Sequence, residues 1–336
     1  MLPGSKLGAP GSPPAPDKLN IPKGKAFAPA HITAFFTINM ASSPLLSGST
    51  GTGFCLDEGV TTEILLDASS HAEFRLIVNG ERLRSAPTCE ALFRAMVSEN
   101  SLVRVTACQV SRLPAGYGYG ISGASALSMG LALNKALQLG LTTGRVGQLA
   151  HVAEVESLTG LGDIAAQLLG GFELRSRPGA PGVGEVRSLD FNGNYLAVTS
   201  PVSSFPTSTM ITREDYVNRI NTFGSEAMAS FASSPSPESL MENSRKFWLR
   251  IGIMNEAVKE VLSSFERAGV KNPSAKKGVV FGLVPKDETW GIVESILPGY
   301  HLPDPCPELP HVIKDRRSGL MLIISKIAER GAFCWE

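Results

Sequence analysis

Between Pro114 and Leu137 the chain reads PAGYGYGISGASALSMGLALNKAL, a glycine-studded run that passes without a break into an apolar, alanine-rich helical stretch. Backbone this bare is costly to order, so its use is close approach. A helix start exposes unpaired N–H groups and the positive end of the macrodipole, which suits a polyphosphate; a flexible tight turn is the plain alternative. Ser122 falls where the first helical turn begins, placed either to cap the helix or to hold a phosphate-bound Mg²⁺. Gly118-x-Gly120-x-x-Gly123 formally matches a dinucleotide fingerprint. That match lacks its context, because no Asp or Glu occurs between Ala124 and Ala153 to hold a ribose. No Gly-Lys-Ser/Thr closes the run, so it is not a Walker A loop either.

Three further positions carry chemistry. Glu154 and Glu156 flank Val155 on a helical stretch, about 200° apart around the axis, so only one of them faces a site. Asp163 follows TGLG and precedes IAAQLL, where an acid complements the positive end of a helix. His31 lies in an apolar strand, where a lone histidine is ordinarily a hydrogen-bonded core residue. The five histidines (31, 71, 151, 301 and 311) show no zinc-ligand spacing.

The elements that must position these residues follow from hydrophobic periodicity. Segments 31–38, 61–68, 72–80 and 102–110 read as strands, and 89–98 has helical spacing. Helices are predicted over 122–139 and 144–158, then a strand at GFELRSR and a Pro/Gly connection at 178–184. The second half repeats the mixture, with helices near 213–233, 236–247 and 250–268, strands at 278–285 and 290–297, and a last helix near 316–330. Without regular βα alternation the fold class is α+β.

Composition narrows the function. Lys plus Arg (31) balance Asp plus Glu (31), so the basic footprint of a nucleic-acid binder is missing and a small-molecule partner is the default. The five cysteines form no CxxC pair, which fits a reducing cytoplasm better than a disulfide framework. No apolar run approaches the ~20 residues of a membrane helix. Residues 1–25 hold six Pro and four Gly and read as a disordered tail.

The pattern Pro114-x-Gly116-x-Gly118-x-Gly120-x-Ser122-x-Ala124 resembles the second motif of the GHMP kinases, PxGxGLGSSAA, with Tyr119 where leucine is usual and Ile121 for the first serine. APAHITAFF (28–36) resembles their first motif, with His31 where many members carry lysine. The segment 151–175, HVAEVESLTGLGDIAAQLLGGFELR, resembles the stretch that carries a metal-binding Glu and a catalytic Asp. Within the superfamily, AFAPAHIT, SGSTGTGFCLDEGV and AHVAEVESLTGLGDIAAQ are most similar to the archaeal pantoate kinases of coenzyme A synthesis, over residues 26–285. The third motif is poorly kept, with NPSAKKGVVFG (272–282) in its place and no glycine cluster.

This resemblance implies a two-lobed GHMP kinase fold, with an N-terminal ribosomal-protein-S5-like lobe over 26–176 and a C-terminal α+β lobe over 177–336. It implies ATP on Pro114, Gly116, Gly118, Gly120, Ser122, Gly123 and Ala124, and Mg²⁺ on Ser122 and Glu154. Asp163 would take the acceptor's proton, and His31 would contact substrate or γ-phosphate. For the carboxylate of pantoate, the loop 47–53 offers Ser47, Ser49 and Thr50 as an anion nest, against a plain mobile loop. Arg175 or Arg177 would add a charge-assisted contact. Many members of the superfamily dimerise. Homoserine, mevalonate or a sugar are alternative acceptors, since phosphate motifs do not read the acceptor. A dinucleotide oxidoreductase and a non-catalytic nucleotide-binding regulator are the readings from other classes.

Overall fold

The computed structural model describes residues 24–191, 194–303 and 307–335. The chain opens on two long antiparallel strands, β1 (Gly24–Asn39) and β2 (Gly48–Ala68). Next come a short hairpin, β3 (Glu73–Val78) and β4 (Glu81–Arg82), then helix α1 (Pro87–Met96). β5 (Val103–Val110) inserts between β2 and β3, antiparallel to the first and parallel to the second. The glycine run leads into α2 (Ile121–Ala136), followed by α3 (Thr143–Glu156) and α4 (Asp163–Leu169). β6 (Phe172–Arg177) then pairs with the first part of β2, and β7 (Glu185–Leu189) pairs with β6.

The second half begins with β8 (Tyr195–Pro201), then α5 (Thr207–Thr212), α6 (Glu214–Ser233), α7 (Pro237–Ile251) and α8 (Glu256–Arg267). β9 (Ser274–Lys276), β10 (Val279–Pro285), α9 (Thr289–Ile296), β11 (His311–Lys314), β12 (Met321–Lys326) and β13 (Phe333–Cys334) complete it. One sheet runs β13-β1-β2-β5-β3-β4 with β6 and β7 attached through β2; the other runs β11-β12-β8-β10-β9. The first sheet thus takes β7, paired with the β6 it follows, and β13 from beyond residue 176, so the chain returns to the N-terminal layer once, at its end.

Small residues set the closest layer contact. Ala26 and Ala28 lie inside β1 against α2, which buries Gly123 through Leu133 with hardly a break, as a helix apolar on all sides should. A second core, with Ile32, Phe35, Phe54, Trp248 and Phe281, fills the space between the first sheet and the helices and strands of the second half. A third lies under α8 and α9 on the second sheet.

Several predicted boundaries change. Gly24 and Lys25, assigned by composition to the tail, begin β1: Gly24 pairs with Ile64, and Lys25 pairs with Glu63 and bonds its carboxylate at 2.7 Å. The rest of the expected tail, 1–23, lies outside the described residues. The segment 290–297, predicted as a strand, is α9, because Ile292, Val293 and Ile296 share one helical face. The helix predicted near 316–330 is instead β12, whose Ile323 and Ile324 are β-branched and buried beside β8. The helix predicted across 250–268 breaks at Gly252, which takes a left-handed φ of 74°, and restarts where Asn255 accepts the Val258 N–H.

Candidate active site

The glycine run does two jobs at the head of α2. Gly116, Gly118 and Gly120 have φ of 88°, 116° and 66°, a region L side chains rarely enter. A side chain on Gly118 would also press to 2.6 Å from the Lys276 carbonyl. The run is tied to β1 by the His31 N–H, which donates to the Tyr119 carbonyl at 2.8 Å. β1 can offer that donor because its pairing with β2 slips on either side of His31, at Pro29/Ala30 and Thr33/Phe35. No acid stands in the first turn of α2.

Glu154 comes from the buried face of α3, whose start is capped by Thr142 accepting the Arg145 N–H at 3.2 Å. Its carboxylate has no exposed surface; Oε1 accepts from Ser122 Oγ at 3.5 Å, and Oε2 has no partner. Burial pushes this carboxyl up to about 8, and the negative charge of Asp163 adds to the effect. The TGLG loop wraps the group closely: a Cβ on Gly160 would come within 2.5 Å of it. Glu156 faces solvent, as the 200° separation requires.

Asp163 opens α4, and about 15% of its side chain is exposed, enough to be reached. Oδ1 lies 2.7 Å from His31 Nδ1, 3.5 Å from Thr33 Oγ1 and 3.7 Å from Lys276 Nζ. Burial alone would raise this carboxyl, but the Lys276 ammonium and the His31 hydrogen bond outweigh it and hold it well below the usual carboxylate range. Burial lowers the Lys276 ammonium in spite of the attraction of Asp163, and lowers that of Lys277 to about 8, with Lys276 repelling it as well. Lys277 Nζ bonds Thr207 Oγ1.

Two cavities meet here. A cleft of about 1300 Å³ runs over the glycine run, with Gly116, Gly118, Gly120 and Ser122 on one side and Leu76, Val78 and Leu83 on another. A tighter cavity is lined by Phe36, Ser49, Met210, Ile211 and Trp248, with Arg175, Lys276 and Lys277 as its cations. Asp163, Thr207 and Lys277 line both.

Of the site residues expected from sequence, the structure brings Gly116, Gly118, Gly120, Ser122 and Asp163 together around the large cleft, and Ser49 and Arg175 around the small one; Glu154 lines neither and is enclosed behind Ser122. Pro114, Gly123 and Ala124 do not line the cleft: Ala124 is packed in the α2 core, and Gly123 sits against the Glu154 and Gln167 side chains. Segment 47–53 is not a nest-forming loop but mostly the start of β2, with backbone committed to β1 and β6. Ser47 Oγ accepts from Ala41 N–H at 2.9 Å, and its carbonyl accepts from His151 Nε2 at 2.9 Å, so it braces a turn. Thr50 is bonded to Thr37 at 2.6 Å, outside both cavities. His31 is fully enclosed and both its ring nitrogens face carboxylates, Asp163 and Glu173, so its ring reaches neither cavity. Arg177 is exposed and lines neither cavity, whereas Arg175 lines the smaller one.

Sequence reasoning missed Lys276, Lys277, Glu173 and Thr207. The lysines had a signal, a doubled charge just before the buried strand VVFGLV.

Comparison with known proteins decides the family. The model for the GHMP kinases N terminal domain matches residues 89–171. A pantoate kinase of Thermococcus kodakarensis is 33% identical over 286 residues, covering 83% of this chain and 93% of that protein. The chain belongs to the pantoate kinase branch of the GHMP kinases. A second relative, the pantoate kinase of Methanocaldococcus jannaschii, is 28% identical over 81% of this chain and 96% of its own length. Among solved structures, one described as a phosphotransferase related to the CoA biosynthesis pathway superposes with a TM-score of 0.78 at 28% identity, covering 93% of this kinase and 98% of that chain. The two-lobed α+β reading of the sequence is thereby upheld, and the dinucleotide reading of Gly118, Gly120 and Gly123 is set aside. Among the described residues, no helix is long and apolar enough to cross a membrane.

Proposed function

We propose that this kinase transfers the γ-phosphoryl group of ATP to a hydroxyl of pantoate, in the cytoplasm. The observation that carries the proposal is the meeting of the two cavities at Asp163, Thr207 and Lys277. The nucleotide lies in the larger, its phosphates over the first turn of α2, where unpaired N–H groups point outward. The acceptor lies in the smaller, its carboxylate on Arg175 and its branched carbon body against Phe36, Met210, Ile211 and Trp248.

Glu154 and Ser122 fit a Mg²⁺ ion, because Glu154 Oε2 is a buried carboxylate oxygen without a partner. Among the described residues no group of three acidic, His or Cys side chains is placed to hold a metal ion, so the remaining ligands would be phosphate oxygens and water, as this ion prefers. When bound, the ion neutralises phosphate charge during transfer.

Asp163 orients the acceptor hydroxyl; the hydroxyl oxygen bonds to the γ-phosphorus as the bond to the β–γ bridging oxygen breaks, ADP leaves, and the proton passes to Asp163. Lys276 keeps that carboxylate ionised, and Lys277 at the junction offsets charge on the phosphoryl group in flight. His31 holds Asp163 in place without touching either ligand. The test is ADP release from Mg·ATP against pantoate, homoserine, mevalonate and galactose. Turnover with pantoate alone is expected; turnover only with another acceptor overturns the substrate.

A further inference from the structure

Glu173 is the buried acid that the transfer leaves unused. It sits on β6 with no exposed surface, and one of its oxygens, Oε1, lies 3.0 Å from His31 Nε2 and 3.0 Å from Arg175 Nη1. The other ring nitrogen of His31 is 2.7 Å from Asp163. The ring packs closely on β2: a Cβ added to Gly53, which pairs with Thr33, would come within 2.7 Å of Nε2.

We propose that Glu173 is a positioning residue that acts through His31 to aim Asp163, and that it links the acceptor-binding Arg175 to the base through a single carboxylate oxygen. The inference rests on the roles given above to Asp163 and Arg175. Its physical basis is hydrogen-bond arithmetic. An ionised carboxylate only accepts, so an imidazole with a carboxylate on each nitrogen is satisfied when both nitrogens carry a proton. A fully protonated His31 then donates to Asp163 and turns that residue's remaining lone pairs toward the cavity junction, while Glu173 compensates the ring's charge. The same oxygen receives Arg175, so the guanidinium that grips the acceptor and the carboxylate that takes its proton share one rigid frame. Without Glu173 the ring loses the partner that fixes both its tilt and its second proton.

The test is Glu173→Gln, which keeps shape and an accepting oxygen but removes the charge, made in wild type and in Asp163→Asn. In wild type, kcat is expected to fall ~10- to 100-fold, by analogy with the loss of a carboxylate that orients a metal-bound histidine. The KM for ATP should stay within about twofold, since uniform binding is untouched. In Asp163→Asn the same change should cost less than about threefold, because the effect has no base left to act through. A wild-type kcat in Glu173→Gln, or an equal loss on both backgrounds, overturns the proposal and leaves Glu173 a structural ion-pair partner.

A readout independent of turnover is the ¹⁵N spectrum of the His31 ring in the unaltered protein, assigned with His31→Gln. Ring nitrogens that both donate, one to Asp163 and one to Glu173, are expected, and a ring with one accepting nitrogen overturns the arrangement even if Glu173→Gln does not fold. Should pantoate not be turned over while the ring carries both protons, the acceptor assignment fails and the positioning network stands.

Discussion

Replacing Lys276 by methionine removes an ammonium from beside Asp163 while keeping most of the stem's volume. The two charged atoms are 3.7 Å apart, and both side chains are largely enclosed. At an effective dielectric constant of about 20, unit charges about 4 Å apart attract by about 4 kcal/mol. That corresponds to about three decades in a protonation equilibrium. His31 remains, so the carboxyl does not become fully unopposed, but burial, which pushes it up, now meets one fewer cation. A proton acceptor works only when ionised, so activity in the variant is lost as pH falls through the raised carboxyl value. The assay is ADP release with saturating acceptor from about pH 5 to about pH 8, wild type against Lys276→Met. The wild-type profile should lack an acid limb attributable to Asp163, and the variant should show one. Stability should respond through the same carboxyl: in wild type its depressed value stabilises the fold above the ordinary carboxylate range, a contribution lost only as pH falls into strong acid, whereas in the variant a carboxyl raised above its unfolded value makes the fold less stable as pH rises and it ionises. Superimposable profiles for the two proteins would refute the claim that Lys276 holds Asp163 ionised.

Other perturbations probe the rest of the site. Glu154→Gln should raise the Mg²⁺ concentration needed for half-maximal rate, by tenfold or more, while Ser122→Ala raises it less; an unchanged Mg²⁺ titration in both would leave Ser122 a helix cap. Gly160→Ala drives a methyl into the Glu154 carboxylate, costing ~1–3 kcal/mol of stability and weakening Mg²⁺ use, both readable from thermal melts with and without the ion. Lys277, lowered to about 8, should regain its proton when phosphates arrive. Calorimetry of metal-free ATP binding near pH about 8.5 in two buffers should therefore show proton uptake, reduced in Lys277→Met. In the free protein the unfolded chain binds more protons than the folded one between about 8 and the ordinary lysine value, so stability should rise with pH across that window.

Part of this site was readable from sequence because its residues answer local demands. Gly116, Gly118 and Gly120 are glycine because their φ values are positive, a local demand that a glycine run before a helix makes visible without tertiary information. Glu154 and Asp163 stand on α3 and α4 at spacings that the family resemblance could align. Other residues answered demands that come from distant parts of the chain. Gly51 and Gly53 looked like loop residues, but they lie inside β2, where a Cβ would collide with the Phe35 and Ile32 carbonyls on β1. Their lack of a side chain reflects closeness of strands, which composition cannot separate from flexibility. Lys276 reaches Asp163 from more than a hundred residues away at the end of a three-residue strand, with Lys277 in the turn that follows, and no periodicity marks such a contact. His31 illustrates both cases: its strand was evident and its enclosure was the ordinary expectation for a lone histidine. The two carboxylates that bracket it depend on how β1, α4 and β6 meet. In α9 the short apolar run WGIVESIL fits either a strand or one face of a helix, and packing under the second sheet chose the helix.

The central claim is that phosphoryl transfer to pantoate occurs where the two cavities meet at Asp163. It is tested most directly by ³¹P NMR of a reaction containing Mg·ATP and pantoate, with wild type and Asp163→Asn side by side and ATP binding measured separately for each. The account predicts a new phosphomonoester signal with wild type, and none on the same timescale with a variant that still binds ATP. A phosphomonoester formed at the wild-type rate by Asp163→Asn, or none from either protein, would contradict it.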